Sequence, residues 1–234
     1  MMTDAPKLEM ARRLDAFVDA AFAFAVTLLV AGGGDPPTTL PEMQGMLLSA
    51  PAYGASFALI VMFWLSYRDL GRLWPLRDGL STALSLGVVF VVLLYVFPLR
   101  LMMQSALHAL SGGILPGGDL INGIEDLRFL YVAYGAGCLS LSLLFAALYR
   151  HHLRQGAAGT IQAVSARIWI QNWIILSGAS LASILVAVAA PDAVAPWGGG
   201  LVYMSVPAFI GIASVFHARA VSRATQVDSG AAAS

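Results

Sequence analysis

Six apolar stretches alternate along this chain with short segments rich in charge, glycine or proline. A run of roughly 20 apolar residues is long enough to cross the hydrocarbon core of a bilayer as a helix. The pattern predicts spans over about 14–31, 53–67, 80–99, 127–149, 168–190 and 200–217. The first stops at Gly32-Gly33-Gly34-Asp35-Pro36-Pro37 and the fifth at Pro191-Asp192, where glycine and proline end helices. Phe97-Pro98 closes the third span, and Met102 to Leu110 is expected to form a separate short helix on the outer surface. Trp74, Trp169 and Trp197 lie near predicted span ends, as interfacial anchors do.

Composition agrees with a membrane protein. Of 234 residues 59% are hydrophobic and 11% charged, against about 25% charged in a soluble domain; mean hydropathy is +0.78. A formal net charge of zero gives no ground for a nucleic-acid partner. The one cysteine, Cys138, has no intrachain partner and lies in an apolar segment, where it reads as a small core hydrophobe. The expected division is a transmembrane domain over 1–223 and a small, polar, disordered cytoplasmic tail over 224–234.

The basic residues set an orientation. With six spans both termini share one side, and of the 13 Lys and Arg only Arg100 and Arg128 then fall on the other. Short cytoplasmic loops carry such an excess of Lys and Arg, so both termini are expected in the cytoplasm. A cleaved signal peptide is the competing reading of the N-terminus. Asp15 and Asp19 oppose it, since carboxylates are foreign to a signal core.

Asp19 enters the first apolar stretch, where a charged group costs about 2.5–3.5 kcal/mol and so has a partner or a function. At 100° per residue, Arg13, Phe17, Ala20, Phe24, Thr27, Leu28 and Ala31 form one stripe, with Asp19 about 140° from Phe24. The expectation is that the Phe24 stripe faces a symmetry axis and Asp19 turns into the bundle. Arg13 of a neighbouring turn or subunit, or Gln171, Asn172 and Trp173 of the fifth span, are its candidate partners. The plainer alternative is a packed core helix with an ordinary apolar stripe.

Arg13, Phe17, Asp19, Phe22, Ala23, Ala25, Thr27, Leu28 and Leu29 together resemble the first-helix signature of the transmembrane protein 175 family of potassium channels. Val18 and Phe24 stand where the family has Ser and Ile. A second patch, Ser56-Phe57-Ala58 leading to Trp64, resembles the family's second helix, with Ser66 and Tyr67 replacing Asn and His. The resemblance implies an all-α membrane protein whose first helices line the pore of a homotetramer. It implies a constriction at Phe24, Leu28 and Ala31, and pore-lining Thr27, Ala20 and Phe17. It also implies a signature network of Arg13, Asp19, Trp64, Ser66 and Tyr67. Potassium would be the permeant ion, with no cofactor, and the plasma membrane the location. Phe24 is bulkier than the family's Ile, and Ala31 smaller than its Leu.

Other classes leave weaker marks. Nothing matches the carbonyl-lined Thr-Val-Gly-Tyr-Gly filter; Tyr134-Gly135-Ala136-Gly137 comes nearest but reads as a close-packing helix face. His108, His151, His152 and His217 are not spaced as facing haem ligands, and no phosphate loop or catalytic set stands out. A proton-coupled or small-solute carrier using Asp19 and a non-conducting scaffold remain as alternatives. Carriers show inverted repeats, and none is visible here.

Overall fold

A hydrocarbon environment offers backbone groups no hydrogen-bonding partner, so apolar segments close their own bonds as helices. The computed structural model describes residues 5–32, 36–156 and 160–211, and helix is the only regular structure within them. The elements are α1 (Ala5–Ala31), α2 (Leu40–Leu48), α3 (Ala50–Leu73), α4 (Gly79–Leu110), α5 (Ile124–Gln155) and α6 (Thr160–Ala189), with a short 3-10 turn at Gly118–Leu120. A further helix, α7, covers 195–211. Among the described residues, five helices are long and apolar enough to cross a membrane: α1, α3, α4, α5 and α6. The predicted sixth span coincides with α7 only up to residue 211. Its remainder and the 224–234 tail lie outside the described residues.

Two elements differ from expectation. The segment 102–110 is no separate helix; α4 runs unbroken through Pro98 to Leu110. Proline removes one backbone hydrogen bond, but Val92, Val96, Leu99 and Met102 stay buried along one side of α4 and hold the two halves in line. The segment after α1, read from its glycines and prolines only as a helix end, contains α2. Thr39 caps it through a capping box with Glu42, and Pro41 occupies its first turn, where a missing N–H costs nothing.

The core is one cluster of Leu, Val and aromatic side chains. Phe63 of α3, Phe145 of α5 and Trp173 of α6 stack with centroids 4.7–6.0 Å apart. Buried serines, including Ser56, Ser85 and Ser142, donate to the carbonyl one turn earlier in their own helix. That disposes of their hydroxyls without a partner helix. Gly135 and Gly137 form a close-packing face, as expected: an added Cβ would stand 2.6 Å from Ile184 and 2.2 Å from Tyr95. Helix α5 packs chiefly on α6 and α4, whereas α1 packs on α4 and α3 and keeps one side open.

Candidate functional site

The two sides of α1 are chemically similar but differ in burial. Val18, Ala21, Phe22, Ala25 and Leu29 are buried against the core. Phe17, Ala20, Phe24, Thr27 and Ala31 are exposed, with Phe24 at 55%. Leu28 is half-buried against the core, so it sits at the edge of the open stripe rather than on it. Thr27 spends its hydroxyl on the carbonyl of Ala23, 3.2 Å away. An uncovered row of large apolar side chains along one helix is a surface that calls for lipid or protein cover.

Asp19 faces α3 at the edge of the bundle rather than its interior. It is exposed in the single chain and accepts a hydrogen bond from Trp64 Nε1 at 2.8 Å. Neither Arg13, which is exposed on α1, nor Gln171 or Asn172 reaches it. Trp173 is buried in the aromatic stack instead. Arg68 lies over the Trp64 ring at 5.0 Å, a cation–π contact that holds the indole from its other side.

The buried carboxylate contact belongs to Asp15. Its Oδ1 receives Arg77 Nη2 at 3.1 Å and the Tyr67 hydroxyl at 3.2 Å. Tyr67 is also 3.1 Å from Ser85 Oγ of α4, and Arg77 donates to the backbone carbonyl of Trp74. Gly71 of α3 admits this cluster: a Cβ there would stand 3.2 Å from the Arg77 guanidinium. The expected signature network is therefore two contacts. Asp19 meets Trp64, Asp15 meets Tyr67, and Ser66 joins neither, since its carbonyl accepts from the Tyr149 hydroxyl. Asp15 and Asp19 are one helical turn apart, as are Trp64 and Tyr67, so two facing helices of opposite direction make two rungs. That matched spacing was the available signal for Asp15.

A third junction ties the same end of the bundle together. Asp78 caps α4 by accepting from the Ser81 N–H, while its other oxygen meets His151 Nε2 and Gln155 Nε2 of α5, each at 2.8 Å. Burial raises the Asp78 pKa, but the Ser81, His151 and Gln155 hydrogen bonds outweigh it and hold the carboxyl well below the usual range. His152 stacks on Trp74 at 5.5 Å.

The chain that carries this open α1 stripe is similar to known channels. Residues 13–98, from α1 through most of α4, match the family described as endosomal/lysosomal potassium channel TMEM175. Over these residues the chain is similar to the TMEM175 family. A potassium channel of Marivirga tractuosa is 29% identical over 143 residues, 58% of this chain and 57% of that protein. The chain thus spans somewhat over half the length of that relative. A potassium channel of Chamaesiphon minutus is 25% identical over 64% of this chain and 70% of its own. Among solved structures, a variant of the potassium channel MtTMEM175, bound to a nanobody–MBP fusion, superposes with a TM-score of 0.65. The alignment covers 92% of this chain and 93% of that one at 21% identity. The TMEM175 homologue of Chamaesiphon minutus, described as a lysosomal potassium-selective channel homologue, gives 0.59 over 88% and 98% at 19% identity. These likenesses show that the TMEM175 fold extends over α5 and α6, beyond the matched residues.

Proposed function

We propose that the chain assembles as a homotetramer around α1 and conducts potassium across the cell membrane. In this reading it has six spans, both termini are cytoplasmic, and no cofactor is needed beyond the permeant ion. The observation that carries the reading is the open stripe Phe17, Ala20, Phe24, Thr27 and Ala31, opposite a fully packed face on the same helix. One helix cannot enclose a pore, and closed cyclic symmetry supplies the other copies. An apolar ring offers an ion no substitute for its hydration shell and gates by dewetting. Phe24, bulkier than the family's usual residue, makes the narrowest ring, with Leu28 and Ala31 following toward the outer end. The Trp64 hydrogen bond to Asp19 supports a structural carboxylate rather than the proton-binding site of a carrier.

Single-channel recording in bilayers under potassium and sodium gradients tests this. Phe24→Ala should raise conductance and weaken discrimination between the two ions. In a background lacking Cys138, cysteines at Thr27 and Ala31 should react with a water-soluble thiol reagent, and cysteines at Ala25 and Leu29 should not. Unaltered currents in Phe24→Ala, with reactivity on the Ala25 side, would refute the assignment.

A further inference from the structure

Where α1 ends, α1, α2, α3 and α4 enclose a cleft of about 750 Å³. Val30, Pro37 and Met46 form an apolar wall, and Tyr53, Arg100 and Gln104 a polar end. Arg100 lies 5.5 Å over the Tyr53 ring. Among the described residues it has no carboxylate partner, and its Nε is buried without a hydrogen bond. Gln104 is one turn further along α4, 6% exposed, and its Oε1 is buried without a donor. A half-buried guanidinium with a buried, unpaired Nε and no anion, and a buried amide oxygen lacking a donor, are together complementary to one kind of ligand. It carries an anionic oxygen cluster beside an N–H or O–H group.

The carboxylate in the cleft does not answer Arg100. Glu42 is taken up by the N–H groups of Thr38 and Thr39 and the Thr38 hydroxyl. Those hydrogen bonds, first of all the Thr38 N–H, lower its pKa, so it stays charged in its cap. The surroundings identify the source of the ligand. All the large apolar residues of α2, namely Leu40, Met43, Met46, Leu47 and Leu48, are exposed, and none of its residues is buried. A short helix uncovered in this way lies in the boundary between head groups and acyl chains. The cleft therefore opens beside a surface that lipid covers.

We infer that this cleft holds the head group of a membrane phospholipid, the phosphate on Arg100 and a donor such as the amine of phosphoethanolamine on Gln104 Oε1. The apolar wall of Val30, Pro37 and Met46 receives the glycerol and upper acyl chain. Gly32 is part of the site: a Cβ there would stand 3.2 Å from Arg100 Nη1 and 2.9 Å from the Leu28 carbonyl. The inference concerns binding and does not depend on ion conduction.

Native mass spectrometry of the purified protein in detergent, titrated with dilauroylphosphatidylethanolamine and separately with dilauroylglycerol, isolates the head-group contribution. The phospholipid should bind about tenfold more tightly, the worth of one charge-assisted contact. Arg100→Gln should abolish that preference, Gln104→Leu should reduce it, and Gly32→Ala should weaken it while keeping the charge. Gln104→Leu and the wild-type comparison carry the test if Arg100→Gln does not fold. Equal binding of the two lipids by the wild type, or an undiminished preference in the folded variants, would overturn the inference. Displacement of the lipid by an equal concentration of soluble glycerophosphoethanolamine would overturn it too, by assigning the cleft to a dissolved phosphate ester.

Discussion

Removing the Asp15 carboxylate should cost far more than its place near the end of α1 suggests. The Arg77 side chain is 2% exposed and its partner Asp15 35%. Asp15→Ala leaves a buried guanidinium facing Tyr67, whose ring it overlies at 5.9 Å, without a counter-charge. Breaking a buried pair from one side typically costs 3–5 kcal/mol. Solvent at Asp15 screens part of that, which brings the expectation to about 1.5–3 kcal/mol. At about 2–4 °C per kcal/mol for a chain of this size, the melting temperature should fall by about 3–12 °C. Fluorescence-detected size-exclusion after heating steps, on detergent-solubilised protein, measures the shift. Asp69→Ala is the control, because its pair with Arg72 is 3.5 Å long with the arginine 67% exposed; it should cost under about 0.5 kcal/mol. Adding Arg77→Met to Asp15→Ala should restore part of the loss by removing the stranded charge. Equal shifts for Asp15→Ala and Asp69→Ala, or a double variant worse than the single, would refute the reasoning.

Gly137→Ala should destabilise by about 1–3 kcal/mol, because its Cβ would stand 2.2 Å from the buried Tyr95 ring, whereas Gly178→Ala, with open space, should be near neutral; parallel melting curves compare them. Asp19→Ala and Trp64→Phe should each cost about 1 kcal/mol and together little more than either alone, since both remove one hydrogen bond. Strictly additive losses in that cycle would show the contact to be idle. The Asp78 carboxyl has a lowered folded pKa, so the stability it lends is complete above its unfolded value near 3.9 and declines as pH falls toward the folded one. The melting difference between wild type and Asp78→Asn should therefore stay constant from pH 7 to about 5 and begin to narrow only below about 4. Narrowing already between pH 7 and 6 would refute the assignment to the Asp78 carboxyl.

Five helices of membrane-spanning length were legible in the sequence because the bilayer sets both the length and the apolarity of anything that crosses it. The close approach at Gly135 and Gly137 followed from helical spacing and residue size, whereas spacing on α1 gave a stripe without deciding whether it is packed or open. Which carboxylate is satisfied within the bundle did not. Asp15 and Asp19 share a side of α1, and helical periodicity treats them alike. They are separated by what faces them: Trp64 beyond Asp19, Tyr67 and the buried Arg77 beside Asp15. Arg77 lies outside any predicted span, so no local pattern linked it to the first helix. The same holds for Pro98, a helix terminator by local chemistry. There α4 continues because residues after it, Leu99 and Met102, are buried along the same side as Val92 and Val96 before it. Burial of that kind depends on residues distant in sequence, and tertiary packing alone decides it.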